Sequence, residues 1–293
     1  MDIYNAGVDD VTFTGLTAYL LFQSAFESDV AMLPMTQPLN VTTSFQPIEG
    51  SDLGYDWPMN IRGSTLSYCH HIINAGGDPV ADLNDYFDTH IETVTGHDGL
   101  PTKALYQSLT QSATEITQSW YRLYYASPSA VSDEDTYVKY WMKFPDDINI
   151  GASGWRSVFF WKTESTDYRV EAYVYRNANN NNEPYFYIQG DKFTTISGDY
   201  EQDWEAYSFD IPVPIGEWFK MEFFWHRSTG DDGRIHWAVN DEVVANRYGP
   251  NYGDYNRHIE QIALFGIYGW PEAYPAEQWI DDVEVWDAPP TPE

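Results

Sequence analysis

"GEWFKMEFFWHRSTGDDGRIHWAVNDEVV", residues 216–244, is two alternating runs on either side of a polar, glycine-containing turn. Successive side chains of a strand point to opposite faces, so this pattern predicts a β-hairpin with one apolar face on each arm. In 218–227 the apolar set is Phe219, Met221, Phe223 and Trp225, and in 234–243 it is Ile235, Trp237 and Val239. The opposite faces carry Lys220, Glu222, Phe224 and His226 on one arm, and Arg234, His236, Ala238 and Asn240 on the other. The apolar faces read as core; the polar, histidine-bearing faces pose the functional question.

The same punctuation extends outward from the hairpin. Runs such as "KALYQSLT", "SWYRLYYAS", "TYVKYWMKF", "WRSVFFWKT", "YRVEAYVYR", "PYFYIQG", "IEQIALFGIYG" and "QWIDDVEVWD" alternate, and Gly, Pro, Asn or Asp separate them. About ten strands, with no amphipathic helices between them and no strict repeat, predict an all-β fold, a two-sheet antiparallel β-sandwich of jelly-roll type. "NANNNN" (177–182) reads as a solvated hairpin loop. Residues 1–50 differ: Leu16, Leu20, Phe26 and Val30 fall at roughly helical spacing and predict a short docking helix. The prolines of "LPMTQPLNVTTSFQPIEGSD" predict an extended connector after it. The expected organisation is an N-terminal arm over 1–50, a jelly-roll domain over 51–287 and a frayed tail over 288–293.

The 293-residue chain has 45 acidic against 15 basic residues, a formal charge of −30. That field repels phosphate backbones and anionic lipid, so neither nucleic acid nor a membrane surface is an expected partner. It also obliges any anionic substrate to find a locally basic groove. Cys69 is the only cysteine, which excludes an intrachain disulfide and a cysteine zinc cluster. No run approaches the roughly 20 apolar residues of a membrane helix, and the N-terminal residues lack a secretion-signal pattern. The expectation is either a signal removed from the chain or a protein made without one, as a virion component would be.

Aromatic residues make up 17% of the chain, with 23 Tyr and 12 Trp. Several strands present them on the face opposite the core: Arg169, Glu171, Tyr173 and Tyr175 in 169–176, and Tyr185, Tyr187 and Gln189 in 185–189. Rings for stacking and planar polar groups for hydroxyls or carboxylates are what a glycan groove uses. Arg169, Tyr173 and Tyr175 are therefore candidate substrate contacts. Other motifs are weaker. "CHH" (69–71) lacks a second zinc-spaced cluster, "NAGGDP" (74–79) is a turn, and "NVT" (40–42) fits a glycosylation acceptor.

Four segments carry a resemblance: "TYVKYWMKFPDD" (136–147), "VFFWKTE" (158–164), the 216–244 hairpin and "QWIDDVEVWD" (278–287). Over roughly residues 80–287 the order of runs resembles the concanavalin A-like jelly rolls of polysaccharide lyases, the heparin lyase I-like and alginate lyase-like group. The resemblance implies a groove in which one strand carries Gln and His, another a Tyr, and a neighbour an Arg. Phe160 and Lys162 stand at the Gln and His positions. "FGIYGW" (265–270) places Tyr268 at the Tyr and Trp270 beside it, and Arg122 or Arg156 is nearest to the Arg.

β-Elimination from a uronate needs its carboxylate neutralised, a base for the C5 proton and an acid for the leaving oxygen. Tyr268 is the candidate acid or base, Lys162 or Arg169 a carboxylate clamp, and His226 a base if it faces the groove. Arg156 and Trp270 join the candidate substrate contacts. Glycoside hydrolysis would need two carboxylates about 5–9.5 Å apart, and the E-x-D-x-E run of laminarinase-like families is absent. No cofactor is required, although Asp281 or Asp282 on the terminal strand suits a structural calcium. The expected partner is an anionic polysaccharide at an extracellular, cell or virion surface, with oligomer assembly through residues 1–50. The competing expectation is a non-enzymatic structural or adhesive domain.

Overall fold

A computed structural model describes residues 18–27, 29–34, 43–61, 64–73, 87–110, 116–124, 135–151, 153–163, 165, 167–257, 259–269 and 275–290. Its elements in chain order are β1 (Leu20–Ser24), β2 (Ala31–Met32), β3 (Thr43–Phe45), β4 (Ile48–Asp52), β5 (Tyr55–Trp57), β6 (Asn60–Ile61) and β7 (Ser64–Ile73). There follow β8 (Phe87–Thr95), β9 (Pro101–Leu109), β10 (Ile116–Tyr124), β11 (Asp135–Lys143), β12 (Trp155–Thr163), β13 (Tyr168–Arg176), β14 (Pro184–Thr194) and β15 (Asp199–Ser208). The chain continues with β16 (Trp218–His226), β17 (Arg234–Val239), β18 (Glu242–Tyr248), β19 (Ile259–Gly269) and β20 (Ala276–Trp286). A 3-10 turn, Ala178–Asn180, caps the β13–β14 hairpin.

Two large antiparallel sheets form the expected sandwich. One has eight strands in the order β18-β17-β16-β11-β20-β9-β8, with β1 added alongside β20. The other has nine in the order β15-β14-β13-β12-β19-β10-β7-β3, with β6 added to β7. Their inner faces meet through aromatic side chains: Phe159 of β12 stacks on Phe223 of β16 at 3.8 Å, and Phe186 of β14 meets Trp237 of β17 edge-on at 5.2 Å. Each such buried ring contributes about 2–3 kcal/mol of transfer free energy. All seven core residues read from the 216–244 hairpin are buried.

The structure corrects two readings of local sequence. Residues 20–24 form a strand, paired with β20 through Phe22↔Val285 and Ser24↔Val283. Phe22, Ser24 and Phe26 are buried in alternation, and the open flank of β20 rewards that period of two over the helical one. The run 234–244 is itself a hairpin. Asn240 and Asp241 take φ of 51° and 66°, the left-handed pair a two-residue turn between strands requires, and β18 returns beyond it. The 40–42 and 74–79 stretches lie outside the described residues.

Candidate functional site

The outer face of the nine-stranded sheet gathers the aromatic and polar side chains that alternation assigned away from the core. Two rows cross β12, β13, β14 and β15: Ser157–Tyr173–Tyr187–Tyr207 and Phe160–Glu171–Gln189–Glu205. Cross-strand partners sit about 5 Å apart on one face, so the rows make a continuous floor. Its rings interlock, with Trp155 on Tyr173 at 5.1 Å, Tyr175 on Tyr187 at 4.9 Å and Tyr207 on Phe209 at 4.9 Å.

Polar side chains fix the floor in place. The Tyr187 hydroxyl lies 2.8 Å from Gln189 Oε1 and 2.9 Å from Glu205 Oε2, its one proton serving one of them at a time, and accepts from Gln202 Nε2 at 3.0 Å. Gln189 Nε2 donates to Glu171 Oε2 at 3.3 Å and to Asp191 Oδ2 at 3.1 Å. Burial raises the pKa of the Glu171 carboxyl, with Arg169 offsetting only part of the rise. Arg169 Nε donates to Asp191 Oδ2 at 2.8 Å and its guanidinium lies 4.7 Å from the Tyr200 ring centre. Burial alone would lower its pKa, but Glu171 and Asp191 outweigh that and raise it. Arg169 thus lies beside the floor, with its charge balanced by Asp191 and Glu171.

Toward the middle of the sheet, register brings together residues far apart in sequence. β19 sets Tyr268 opposite Ser157 on one side and Gln118 on the other. β10 in turn sets Gln118 opposite His71. His71, Gln118 and Tyr268 therefore share the Ser157–Tyr173–Tyr187–Tyr207 row. Arg122 belongs to the adjacent row through Ala263 and Phe160, and Lys162 lies one row further, opposite Gln261 and Arg169. The sequence reading missed Gln118 and His71. The resemblance puts the Gln and His positions at Phe160 and Lys162 of β12, and "CHH" by its own spacing suggests only a zinc motif. The alternation Gln118, Trp120, Arg122, Tyr124 was the available signal.

Other candidates separate from this row. Arg156 is fully buried and points between the sheets, where Nη2 donates to Glu277 O at 2.6 Å and Gln278 Oε1 at 2.9 Å. It is a strut beneath β19, not a ligand contact, because its register partner Val174 belongs to the inward set of β13. His226 sits on the outer face of the other sheet, hydrogen-bonded to Asp135 with Asp232 3.7 Å away. The whole core separates it from Tyr268, which removes it as a catalytic base. The neighbouring His236 has its pKa lowered to about 4 by burial and Arg234 and stays neutral. Trp270 lies outside the described residues.

Asp281 and Asp282 occupy a bulge in β20 where Asp282 takes φ 48°. Their carboxylates diverge: Asp282 Oδ2 is 2.8 Å from His97 Nε2, while Asp281 Oδ2 accepts from Thr102 Oγ1 at 3.1 Å. Among the described residues no three His, Cys, Asp or Glu side chains are grouped to hold a metal ion. The two side chains alone supply fewer than the six to eight oxygens calcium takes. Glu27 Oε1 also lies 3.1 Å from the Thr102 hydroxyl, whose one proton serves one carboxylate. Burial, then Asp282, and more weakly Glu27, raise the Asp281 pKa to about 7.

A carboxyl whose pKa is higher folded than unfolded binds an extra proton in the folded state. Its destabilising effect is absent below about pH 4, grows through about pH 4–7 and is complete above that, at roughly 2–4 kcal/mol. Asp281→Asn should match wild type near pH 4 and exceed its urea stability by about 2 kcal/mol at pH 8. A variant less stable at pH 8, beside a wild type stabilised by added calcium, would contradict the protonated carboxyl.

No protein-family sequence pattern and no curated protein matches the chain. Solved structures are similar at low identity. An alginate lyase, Aly36B, in complex with alginate trisaccharide is 12% identical, aligned over 67% of this chain and 83% of its own, with a TM-score of 0.47. An endo-β-1,4-glucuronan lyase from the fungus Trichoderma reesei is 11% identical over 69% and 91%, with a TM-score of 0.47. A family 16 glycoside hydrolase from Bacteroides ovatus is 8% identical over 74% and 94%, also at 0.47. The sandwich architecture rests on the chain's own sheet order and core.

Proposed function

We propose that this chain binds a polysaccharide along the outer face of the nine-stranded sheet and cleaves it by β-elimination next to a uronate. The observation that carries the reading is the single row His71–Gln118–Tyr268–Ser157–Tyr173–Tyr187–Tyr207. One half of the row holds residue types able to exchange protons and bind a carboxylate. The other half is a stacking floor for pyranose rings.

The charge distribution assigns the two halves. At the β13–β15 end, Glu171, Asp191 and Glu205 outnumber the tied Arg169, so that end suits sugar hydroxyls better than carboxylates. Lys162 and Arg122 lie toward the middle, where a uronate carboxylate would sit. Gln118 and Arg122 would hold that carboxylate and lower the C5 proton's pKa. His71 would take the proton, the C4–O bond would break, and Tyr268 would protonate the leaving oxygen. A substrate met outside the cell, or on a cell or virion surface, belongs to the same proposal.

The test is incubation with alginate, glucuronan, heparin and ulvan while following absorbance from the unsaturated uronate. Product from at least one is expected. Binding without product on any of them would leave an adhesive or structural glycan-binding domain. For the stacking floor, Tyr187→Ala should weaken oligosaccharide affinity about tenfold in titration calorimetry. Tyr187→Phe, which keeps the ring and loses the Glu205 and Gln189 hydrogen bonds, should cost less. Equal affinity in wild type and the alanine variant would remove the floor from the binding surface.

A further inference from the structure

The outer face of the eight-stranded sheet carries a second aromatic row that the proposed cleavage does not use. Trp218, Lys143, Trp279, Tyr106 and His90 are cross-strand partners in succession across β16, β11, β20, β9 and β8. At about 4.8 Å per strand the row is about 19 Å long. Its rings are half-buried and mutually braced, Tyr106 lying 5.3 Å from Trp279 and 5.0 Å from His90. Lys143 Nζ sits 5.8 Å from the Trp279 ring centre.

Hydrogen bonds pin the polar edges of these rings to the protein. Trp279 Nε1 donates to Glu92 Oε1 at 2.7 Å, Trp218 Nε1 to Thr95 O at 2.7 Å, and the Tyr106 hydroxyl to Glu277. What remains for a ligand is ring surface, flanked by carboxylates that accept hydrogen bonds. One register step along, a cleft of about 370 Å³ opens, lined by Trp141, His97, Lys139, Lys220, Asp282 and Glu284 among others. His97 stacks on Trp141 at 4.0 Å with the rings parallel, holding the indole rigid. The volume is within the range of small-ligand sites.

Charge selects the occupant. Lys139 pairs with Glu284 at 2.9 Å, and Lys220 with Glu222 at 3.2 Å and with Asp241. His90 meets Asp88 at 2.9 Å. The lysines lining the cleft are therefore balanced, Lys143 lies over the Trp279 ring, and the carboxylates of Asp88, Glu92, Glu222, Glu277, Asp282 and Glu284 outnumber the three lysines, so a polyanion meets a net negative face. A neutral pyranose chain fits instead: its C–H faces pack on the rings and its hydroxyls donate to Glu92, Glu277 and Glu284. We infer that the Trp218–Lys143–Trp279–Tyr106 row and the Trp141 cleft form a second binding surface, for a neutral polysaccharide. It lies on the opposite side of the sandwich from the uronate-directed row and is independent of the chemistry there.

Affinity electrophoresis tests this in native gels holding hydroxyethylcellulose, mixed-linkage β-glucan, xylan or galactomannan, with alginate as the anionic comparison. Wild type is expected to be retarded in at least one neutral gel. Trp279→Ala and Trp218→Leu should each lower that retardation about tenfold in apparent affinity, while Ile196→Ala, at an exposed position between β14 and β15 on neither row, leaves it unchanged. Trp218→Leu removes one ring at the end of the row and guards against loss of folding in Trp279→Ala, with melting temperatures recorded for both. No retardation in any neutral gel overturns the proposal, as does retardation that survives both tryptophan variants or disappears in Ile196→Ala. A dimer in sedimentation that Trp279→Ala dissolves, without glycan retardation, would assign the row to contact between copies and also overturn it.

Discussion

Replacing Arg156 by alanine should destabilise the fold by about 3–5 kcal/mol, the joint cost of leaving buried acceptors unpaired and opening a cavity. The guanidinium is fully buried, lies 5.0 Å from the Phe144 ring centre and donates to Glu277 O and Gln278 Oε1. Gln278 extends the network, its Nε2 donating to Gln107 Oε1 at 2.6 Å and to Gly266 O at 3.3 Å. Removing the arginine strands buried acceptors and opens a cavity beneath β19. In thermal unfolding the midpoint should fall by roughly 10 °C. Activity should fall too, since Gly266 and Gly269, which pairs with Arg156, flank Tyr268. A variant with wild-type midpoint would show that the two sheets do not depend on this strut.

Tyr268→Phe should lower kcat on the cleaved polysaccharide by at least about 100-fold, the usual range for losing a proton-transfer group. KM should change little, because the ring is retained and binding is spread over the tyrosine floor. The melting temperature should stay at its wild-type value. Lys162→Ala, two rows away, should act mainly on KM. Unchanged kcat in Tyr268→Phe would take the tyrosine out of the chemistry.

The sequence disclosed faces better than neighbours. Alternation alone assigned Phe219, Met221, Phe223, Trp225, Ile235, Trp237 and Val239 inward, and all are buried. It also assigned Tyr173, Tyr175, Tyr187 and Gln189 to the opposite face, where they form the floor. A period of two says nothing about which strands lie side by side. His226 and Tyr268 therefore looked equally available, although β16 and β19 belong to different sheets. Gln118 meets Tyr268 only through long-range pairing of β10 with β19, which no local pattern encodes. Arg156 reads as exposed because it is a charged residue on a strand, while Gln278 and Phe144 make a polar and aromatic niche for it inside.

The most direct test of the account is the mass of the cleavage products formed in heavy-oxygen water. Elimination breaks the C4–O bond without adding water, so one fragment of each cut carries an unsaturated uronate and neither takes a solvent oxygen during cleavage. Hydrolysis adds one solvent oxygen at every cut. Unlabelled, unsaturated ends are expected from a uronate-containing polysaccharide, quenched in ordinary water before slow exchange at the reducing end. Saturated fragments that carry solvent oxygen would contradict elimination.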